Sequence, residues 1–282
     1  MLALAFAFAV TTYARPETIV STEWVEAHLD DPSVRLVDMR TSGFATSHIP
    51  NAVPLANDAI RHREPPFVPT PAEFAQTMSA LGISNATHVV VYDERGGIYA
   101  ARLWWILNYY GHRHVSLVSG GWVKWSAEQR RVTSDLVTPE PATFTPTTTP
   151  RWLASAEDVR AASGKPGFAI VDARTPAEIE GRDLRGIRRG GAIPASIPLY
   201  WEDFLDPQTK AFRPAADLDR IVRERGLAPT DEIIAYCQVG MRASVDLFVL
   251  HLLGYDRLKN YYGAWEEWGN REDLPIQAPK AQ

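Results

Sequence analysis

Short apolar runs rich in β-branched residues alternate along the chain with segments of helical periodicity. Four runs stand out, at 35–40, 88–93, 169–174 and 232–237. Strands that alternate with helices in this way are typical of parallel sheets covered by helices on both faces. The pattern therefore predicts an α/β fold with mainly parallel sheets.

Helix ends are marked by local signals. The segment Thr70-Pro71-Ala72-Glu73 is a capping box with proline in the first helical position, and it predicts a helix that runs to about Leu81. A second helical segment, from about Ala215 to Arg225, ends at Gly226, the residue type preferred just after a helix.

The same succession of elements occurs twice. Each half has a helix start, a strand ending in Asp-x-Arg, an Ile-Pro segment, a second buried strand, and a pair of tryptophans spaced for one buried helical face. The matched segments are 21–25 with 155–159, 35–40 with 169–174, 47–55 with 191–199, 88–93 with 232–237, and 121–125 with 264–268. Asp93 stands in the first copy where Cys237 stands in the second.

The repeat predicts two domains, at 19–137 and 151–276, which we call the N-terminal half and the C-terminal half. Between them, residues 138–150 carry four prolines among threonines, which predicts an extended linker. Before its Ile-Pro segment the C-terminal half has gained ten residues, and the segment 181–190 there contains four arginines.

Composition excludes several classes of function. The 282 residues are 45% hydrophobic and carry a net charge of −5, which disfavours binding to nucleic acids or anionic membranes. No apolar stretch approaches the length that spans a bilayer. Met1 to Val10 is apolar, but no basic residue precedes it. We therefore expect a retained extension and a cytoplasmic protein, with export as the alternative.

Cys237 is the only cysteine in the sequence, which excludes an internal disulfide and a zinc site built on several thiolates. A strand at 232–236 ends at this residue, and the loop Gln238-Val239-Gly240-Met241-Arg242 leads into an apolar helix. A helix N-terminus favours thiolate over thiol, and its backbone amides form a cradle for an anion. Gly240 suits a tight turn, and Arg242 adds a fixed positive charge. We therefore expect a partly exposed, reactive thiol rather than an inert one.

These motifs resemble those of the rhodanese superfamily of sulfurtransferases, specifically its tandem-domain thiosulfate and 3-mercaptopyruvate sulfurtransferases. The resemblance covers about Ile19 to Ile276, and it is strongest in the loop 237–242, in Gly263 to Asn270 and in the two Asp-x-Arg strands. It implies two rhodanese-like domains, the first catalytically silent, in agreement with Asp93, and the second bearing a persulfide on its cysteine. It also implies a small anionic sulfur donor, a thiol or cyanide acceptor, and no cofactor.

The resemblance further implies that basic residues before the Ile-Pro motif bind the donor. Within the segment 181–190 we select Arg182 for this role, with the other three arginines as alternatives, together with the loop residues Gln238 to Arg242. Many relatives have a histidine directly before Ile-Pro, whereas this chain has Ala192 there and keeps His48 in the N-terminal half. Because Ala192 replaces that histidine, we expect no histidine at this position to act in the C-terminal half.

The loop also bears on the choice of donor. Relatives that prefer 3-mercaptopyruvate have a small, hydroxyl-bearing loop, and relatives that prefer thiosulfate have longer or basic side chains there. This loop carries Gln238 and Arg242 and has no serine or threonine. We therefore expect thiosulfate as the donor, with 3-mercaptopyruvate as the alternative.

Two other classes of function compete with this interpretation. In phosphatases and arsenate reductases of this fold, five residues separate the cysteine from an arginine. Here four residues separate Cys237 from Arg242, which leaves a smaller cradle for an anion. A non-enzymatic binding module would not need the cysteine, Gly240 and Arg242 together. His112 and His114 lie close in sequence, but no third ligand accompanies them, and we expect no metal.

Overall fold

The computed structural model describes residues 12–62, 64–65 and 67–278. The apolar segment Met1 to Val10 lies outside these residues, so the expectation that it is a retained extension stays a prediction. Among the helices formed by the described residues, none has both the length and the apolar character needed to cross a membrane.

The N-terminal half folds around a five-stranded sheet. The strands are β1 (Ile19–Val20), β2 (Val34–Asp38), β3 (Val53–Pro54), β4 (His88–Tyr92) and β5 (Val115–Val118). They lie in the order β1-β5-β4-β2-β3, and each neighbouring pair is parallel. The helices are α1 (Thr22–Ala27), α2 (Pro71–Ala80), α3 (Ile98–Tyr109) and α4 (Gly121–Ala127).

The C-terminal half repeats this topology. Its strands are β6 (Leu153–Ala154), β7 (Phe168–Asp172), β8 (Ile197–Pro198), β9 (Glu232–Tyr236) and β10 (Leu258–Tyr261), in the order β6-β10-β9-β7-β8 and again all parallel. The helices are α5 (Ala156–Ala162), α6 (Pro176–Ile179), α7 (Ala215–Glu224), α8 (Met241–Leu252) and α9 (Ala264–Trp268).

Short 3₁₀ helices occupy Pro16–Thr18, Asn57–Ile60, Pro150–Trp152 and Trp201–Phe204. The predicted α/β fold with two parallel sheets is confirmed.

Helices cover both faces of each sheet, and the inner faces share one core. The outer helices are α1 and α4 on the first sheet and α5 and α9 on the second. On the inner side α3 packs against α8 across the interface between the halves. All residues of helix α3 except Tyr99 are buried, including Trp104 and Trp105, and a helix that is buried on all sides belongs in an interior. The packing therefore joins the two halves through the helices that follow β4 and β9.

Local sequence signals gave the ends of α2 and α7 to within one residue. The capping box is present, with Thr70 accepting from the Glu73 backbone amide and the Glu73 carboxylate accepting from Thr70. Three of the four repeated tryptophans are buried as predicted. The fourth, Trp122, is half-buried and lies under the guanidinium of Arg40, 3.8 Å from the ring centre.

The segment between the halves is extended, as its prolines predicted, but it is bound to the N-terminal half. The backbone amides of Thr147 and Thr149 donate to the carbonyls of Tyr110 and Tyr109, at 2.9 and 2.7 Å. Phe144 is buried in the shared core. The linker is therefore part of the packed surface and not a free tether.

Candidate functional site

Cys237 directly follows β9, at the carboxyl edge of the second sheet, where parallel α/β folds bind their ligands. The loop after it ends at Gly240, which caps α8 with a φ of 77°. A Cβ atom at this position would also lie 2.4 Å from the ring of Tyr262. Glycine therefore meets both the backbone conformation and the close approach that the turn requires.

The carbonyl groups of the loop are held by neighbouring elements. The backbone amides of Trp265 and Glu266 donate to the carbonyls of Cys237 and Gln238, at 2.9 and 3.0 Å. The Asn260 side chain donates to the carbonyl of Gly240 at 3.0 Å. Because the C=O and N–H of one peptide unit point in opposite directions, these bonds direct loop N–H groups away from α9 and β10. That orientation is the one an anion cradle requires.

The matching loop of the N-terminal half shows such a cradle with an anion in it. The Asp93 carboxylate accepts four backbone N–H groups, from Arg95, Gly97, Tyr99 and Ala100, at 2.8 to 3.0 Å. Burial raises the pKa of Asp93, although these four bonds favour its charged form. The N-terminal half has thus retained the turn, and its own side chain fills the anion site.

Cys237 lies on the floor of a cavity of about 430 Å³ between the halves. The expectation of a partly exposed thiol was wrong, because the side chain is 0% exposed. Residues of both halves line the cavity around it, and local sequence signals carry no information about how the halves pack. The lining residues are Arg95, Ile98 and Tyr99 from the N-terminal half, and Thr175, Arg185, Ile187, Tyr200, Trp201, Glu202, Cys237, Gln238, Val239, Met241, Arg242 and Glu266 from the C-terminal half.

Arg242 is held beside the thiol by a carboxylate that the sequence had not suggested. Its guanidinium donates to both oxygens of Glu178, at 2.6 and 2.7 Å, and the Glu178 side chain is 1% exposed. Burial alone would raise the pKa of Glu178, but the bonds to Arg242 hold that pKa at about 2. Burial likewise opposes the charge on Arg242, while Glu178 and the Cys237 thiolate raise the pKa of Arg242 above its ordinary value.

The structure places the candidate donor-binding arginines of segment 181–190 in different settings. Arg182, selected for donor binding, is paired with Glu180 through its Nε at 2.7 Å and does not line the cavity. Arg185 lines the cavity instead, with its Nε 4.0 Å from Glu178. Arg189 donates to the carbonyls that follow α9 and so fixes the segment. The structure therefore places Arg185, and not Arg182, in the lining of the cavity, although both side chains are about half exposed.

Glu178 also completes a capping box, and this local pattern is the signal by which sequence alone would have found it. Thr175 accepts from the Glu178 amide and the Glu178 carboxylate accepts from the Thr175 amide. One carboxylate therefore caps α6 and anchors Arg242. No sequence signal marked Arg95 and Tyr99, which reach the cavity only because the halves pack together.

The histidines noted in the sequence lie away from this cavity. His48 is buried, its Nδ1 lies 2.8 Å from the carbonyl of Phe44, and its backbone forms a bridge to Thr133. Ala192 forms the matching backbone bridge of the C-terminal half, to Gln277. His114 stacks on His88 with ring centres 4.2 Å apart. Within residues 12–62, 64–65 and 67–278, no group of three or more side chains is arranged to hold a metal ion.

Comparison with known proteins agrees with this geometry. The sequence model of the rhodanese-like domain matches residues 21–128 and 155–271. The sulfur carrier protein TtuD of Thermus thermophilus is 36% identical, over 94% of this chain and 98% of that protein. The thiosulfate sulfurtransferase of Corynebacterium glutamicum is also 36% identical, over 94% of this chain and 92% of that protein.

A solved structure extends the comparison to the fold. SseA from Escherichia coli, described as a 3-mercaptopyruvate sulfotransferase with a rhodanese fold, superimposes with a TM-score of 0.78 at 29% identity. The match covers 88% of this chain and 98% of SseA.

Proposed function

Since the chain belongs to the rhodanese-like family of sulfurtransferases, we propose that it is a thiosulfate sulfurtransferase whose Cys237 carries the transferred sulfur. One observation carries the proposal: the sole cysteine lies on the floor of the cavity between the halves, beside Arg242 and at the N-terminus of α8. Relatives named thiosulfate sulfurtransferase support the choice of donor.

The first step transfers sulfur from the donor to the enzyme. The Cys237 thiolate attacks the outer, sulfane sulfur of thiosulfate, a new S–S bond forms, and the bond between the two sulfurs of thiosulfate breaks. The electron pair of that bond leaves with sulfite, and the negative charge of the thiolate moves to the terminal sulfur of the Cys237 persulfide. Loop N–H groups and the N-terminus of α8 stabilise the charge on that sulfur.

The second step returns the enzyme to its starting state. Cyanide attacks the terminal persulfide sulfur, thiocyanate leaves, and the Cys237 thiolate is regenerated. A thiol acceptor takes the sulfur in the same way. Because the donor product leaves before the acceptor reacts, we predict ping-pong kinetics. No cofactor enters either step, and the cytoplasmic location expected from the sequence stays part of the proposal.

The guanidinium groups beside Cys237 favour a dianionic donor. Arg242 and Arg185 flank the single carboxylate of Glu178, so these three groups together carry a net positive charge. Arg95 adds a further guanidinium from the N-terminal half, while the lining also includes Glu202 and Glu266, of which Glu266 is paired with Arg61. Thiosulfate is a compact dianion whose sulfite product keeps its charge, whereas mercaptopyruvate offers one carboxylate and a keto group that a loop hydroxyl would bind. The loop 237–242 has no hydroxyl side chain.

We expect thiosulfate to be used better than 3-mercaptopyruvate. The measurement is kcat/KM for each donor with cyanide as the acceptor, at equal ionic strength because the charge effect is sensitive to salt. A higher kcat/KM for 3-mercaptopyruvate would assign the chain to the alternative activity and leave sulfur transfer through Cys237 in place.

Placing a thiol in the N-terminal half is not expected to create a second active site. The Asp93→Cys variant would have a sulfur in an intact turn, but Leu205 and Phe212 of the C-terminal half press on Gly96 and Gly97 of that loop. The first turn of α3 also starts with Ile98 and Tyr99 and so has no counterpart of Arg242.

The test is made in the Asp93→Cys/Cys237→Ser double variant, in which any persulfide must lie at position 93. After treatment with thiosulfate, the intact mass should show no added sulfur, and the Asp93→Cys single variant should gain one sulfur only. Sulfur on residue 93 would show that the N-terminal half is accessible and catalytically competent.

A further inference from the structure

Arg102 is a buried cation at the interface between the halves. It lies in α3 and is 0% exposed. Its Nη2 donates to the carbonyl of Ile60 at 2.6 Å, whereas its Nε and Nη1 have no hydrogen-bond partner among the described residues. A buried guanidinium with unpaired N–H groups is strongly destabilising unless a negative charge lies near it. The structure therefore calls for an anion close to Arg102.

The back of the Cys237 loop lies close to this guanidinium. Arg102 stacks on the ring of Tyr262, 4.6 Å from its centre, and the same ring packs directly against Gly240. Burial and the positive charge of Arg61 lower the pKa of Arg102 to about 9, while negative charge on Cys237 and Asp58 opposes the fall. An ionised Cys237 is thus one of two groups whose negative charge offsets the burial of Arg102.

We propose that Arg102 is a positioning residue for Cys237: its guanidinium, supplied by the N-terminal half, stabilises negative charge on the cysteine sulfur before and after sulfur transfer. The inference rests on the proposed function in that Cys237 is the nucleophile. It gives the N-terminal half a part in the chemistry although its own loop holds Asp93. A thiolate completely buried by protein needs such a charge, because burial otherwise favours the neutral thiol.

Other charged groups also face Cys237. Asp246 in α8 interacts with it, and burial raises the pKa of Asp246 well above its ordinary value, with the charge of Cys237 adding to the rise. Arg242 is neutralised in part by Glu178. The remaining charged groups of the cavity are Arg95, Arg185, Glu202 and Glu266. Arg102 differs from the other cationic groups in that it is fully buried and lies in the interior between the halves.

The test follows the alkylation of Cys237 by iodoacetamide as a function of pH. Since the chain has a single cysteine, the label reports on this thiolate alone. In Arg102→Met we expect the profile to move to higher pH by about one unit, so that labelling at neutral pH slows by about tenfold. Arg102→Lys restores a positive charge and should recover most of the rate.

Two further variants separate charge from packing. Arg102→Gln keeps amide donors for the Ile60 carbonyl without the charge, and its alkylation profile should move to higher pH by the same amount. This variant tests the proposal if Arg102→Met does not fold. Arg113→Met removes an exposed arginine just beyond the same helix and should leave the profile unchanged.

The proposal is overturned if a folded Arg102→Gln or Arg102→Met variant keeps the wild-type profile, or if Arg113→Met moves it equally. Alkylation needs no sulfur donor. A chain that failed to use thiosulfate would therefore still show the displacement, and the two proposals fail separately.

Discussion

Replacing Cys237 with serine is expected to reduce sulfur transfer from thiosulfate to cyanide by more than about a thousandfold, to the uncatalysed level. A serine hydroxyl is not ionised near neutral pH, and it cannot form the S–S bond that holds the transferred sulfur. No other thiol can replace it, because the sequence has one cysteine. The measurement is thiocyanate formation under saturating thiosulfate.

The substitution should leave the fold intact, since serine is close to cysteine in size and the loop is held by hydrogen bonds that its backbone carbonyls accept. Equal urea midpoints for the variant and the wild type provide the control. Residual turnover above about one thousandth of the wild-type rate in the folded variant would mean that another group carries the sulfur.

Removing Arg242 is expected to cost less than removing the nucleophile, but the loss should depend on the donor. In Arg242→Ala, kcat/KM for thiosulfate should fall by about ten- to a hundredfold, because one charge-assisted contact to the departing sulfite is lost. The loss for 3-mercaptopyruvate should be smaller, since its leaving group develops less charge at this position. The measurement is kcat/KM for both donors in the wild type and the variant.

The same substitution removes the partner of a buried carboxylate, so its effect on stability must be separated from its effect on catalysis. Removing one partner of a buried ion pair destabilises a protein by about 3 to 5 kcal/mol, because the remaining charge is uncompensated. In Arg242→Ala/Glu178→Gln that charge is absent. We therefore expect urea unfolding to show recovered stability in the double variant while thiosulfate turnover stays low.

Recovery of turnover along with stability would show that Arg242 matters for folding alone. Equal losses for the two donors in the single variant would contradict its part in donor choice. The pH used should be well above 2, the approximate pKa of Glu178, so that the carboxylate stays charged in every comparison.

Much of this site could be predicted from the sequence, because its signals are local. The strand that ends before Cys237, the turn at Gly240 and the start of α8 follow from residues adjacent in the chain, whose backbone preferences do not depend on the rest of the fold. The repeat of these signals in both halves made the topology recognisable as well. The parallel strand order then places both loops at equivalent sheet edges.

The remaining features depend on contacts between distant segments. Arg182 and Arg185 are three residues apart in one loop, and which of them reaches the cavity depends on a left-handed turn at Arg185 and on the anchoring of Arg189. The partner of Arg242 lies 64 residues away. The burial of Cys237 and the approach of Arg102 depend on how α3 packs against α8. Composition and spacing give no information about such distances.

The most direct test of the account is the mass of the Cys237 peptide after the protein reacts with thiosulfate without an acceptor. We predict one added sulfur atom on this peptide, formed in step with an equal amount of sulfite and lost as thiocyanate when cyanide is added. A protein that turns over thiosulfate while the Cys237 peptide keeps its original mass would contradict the account.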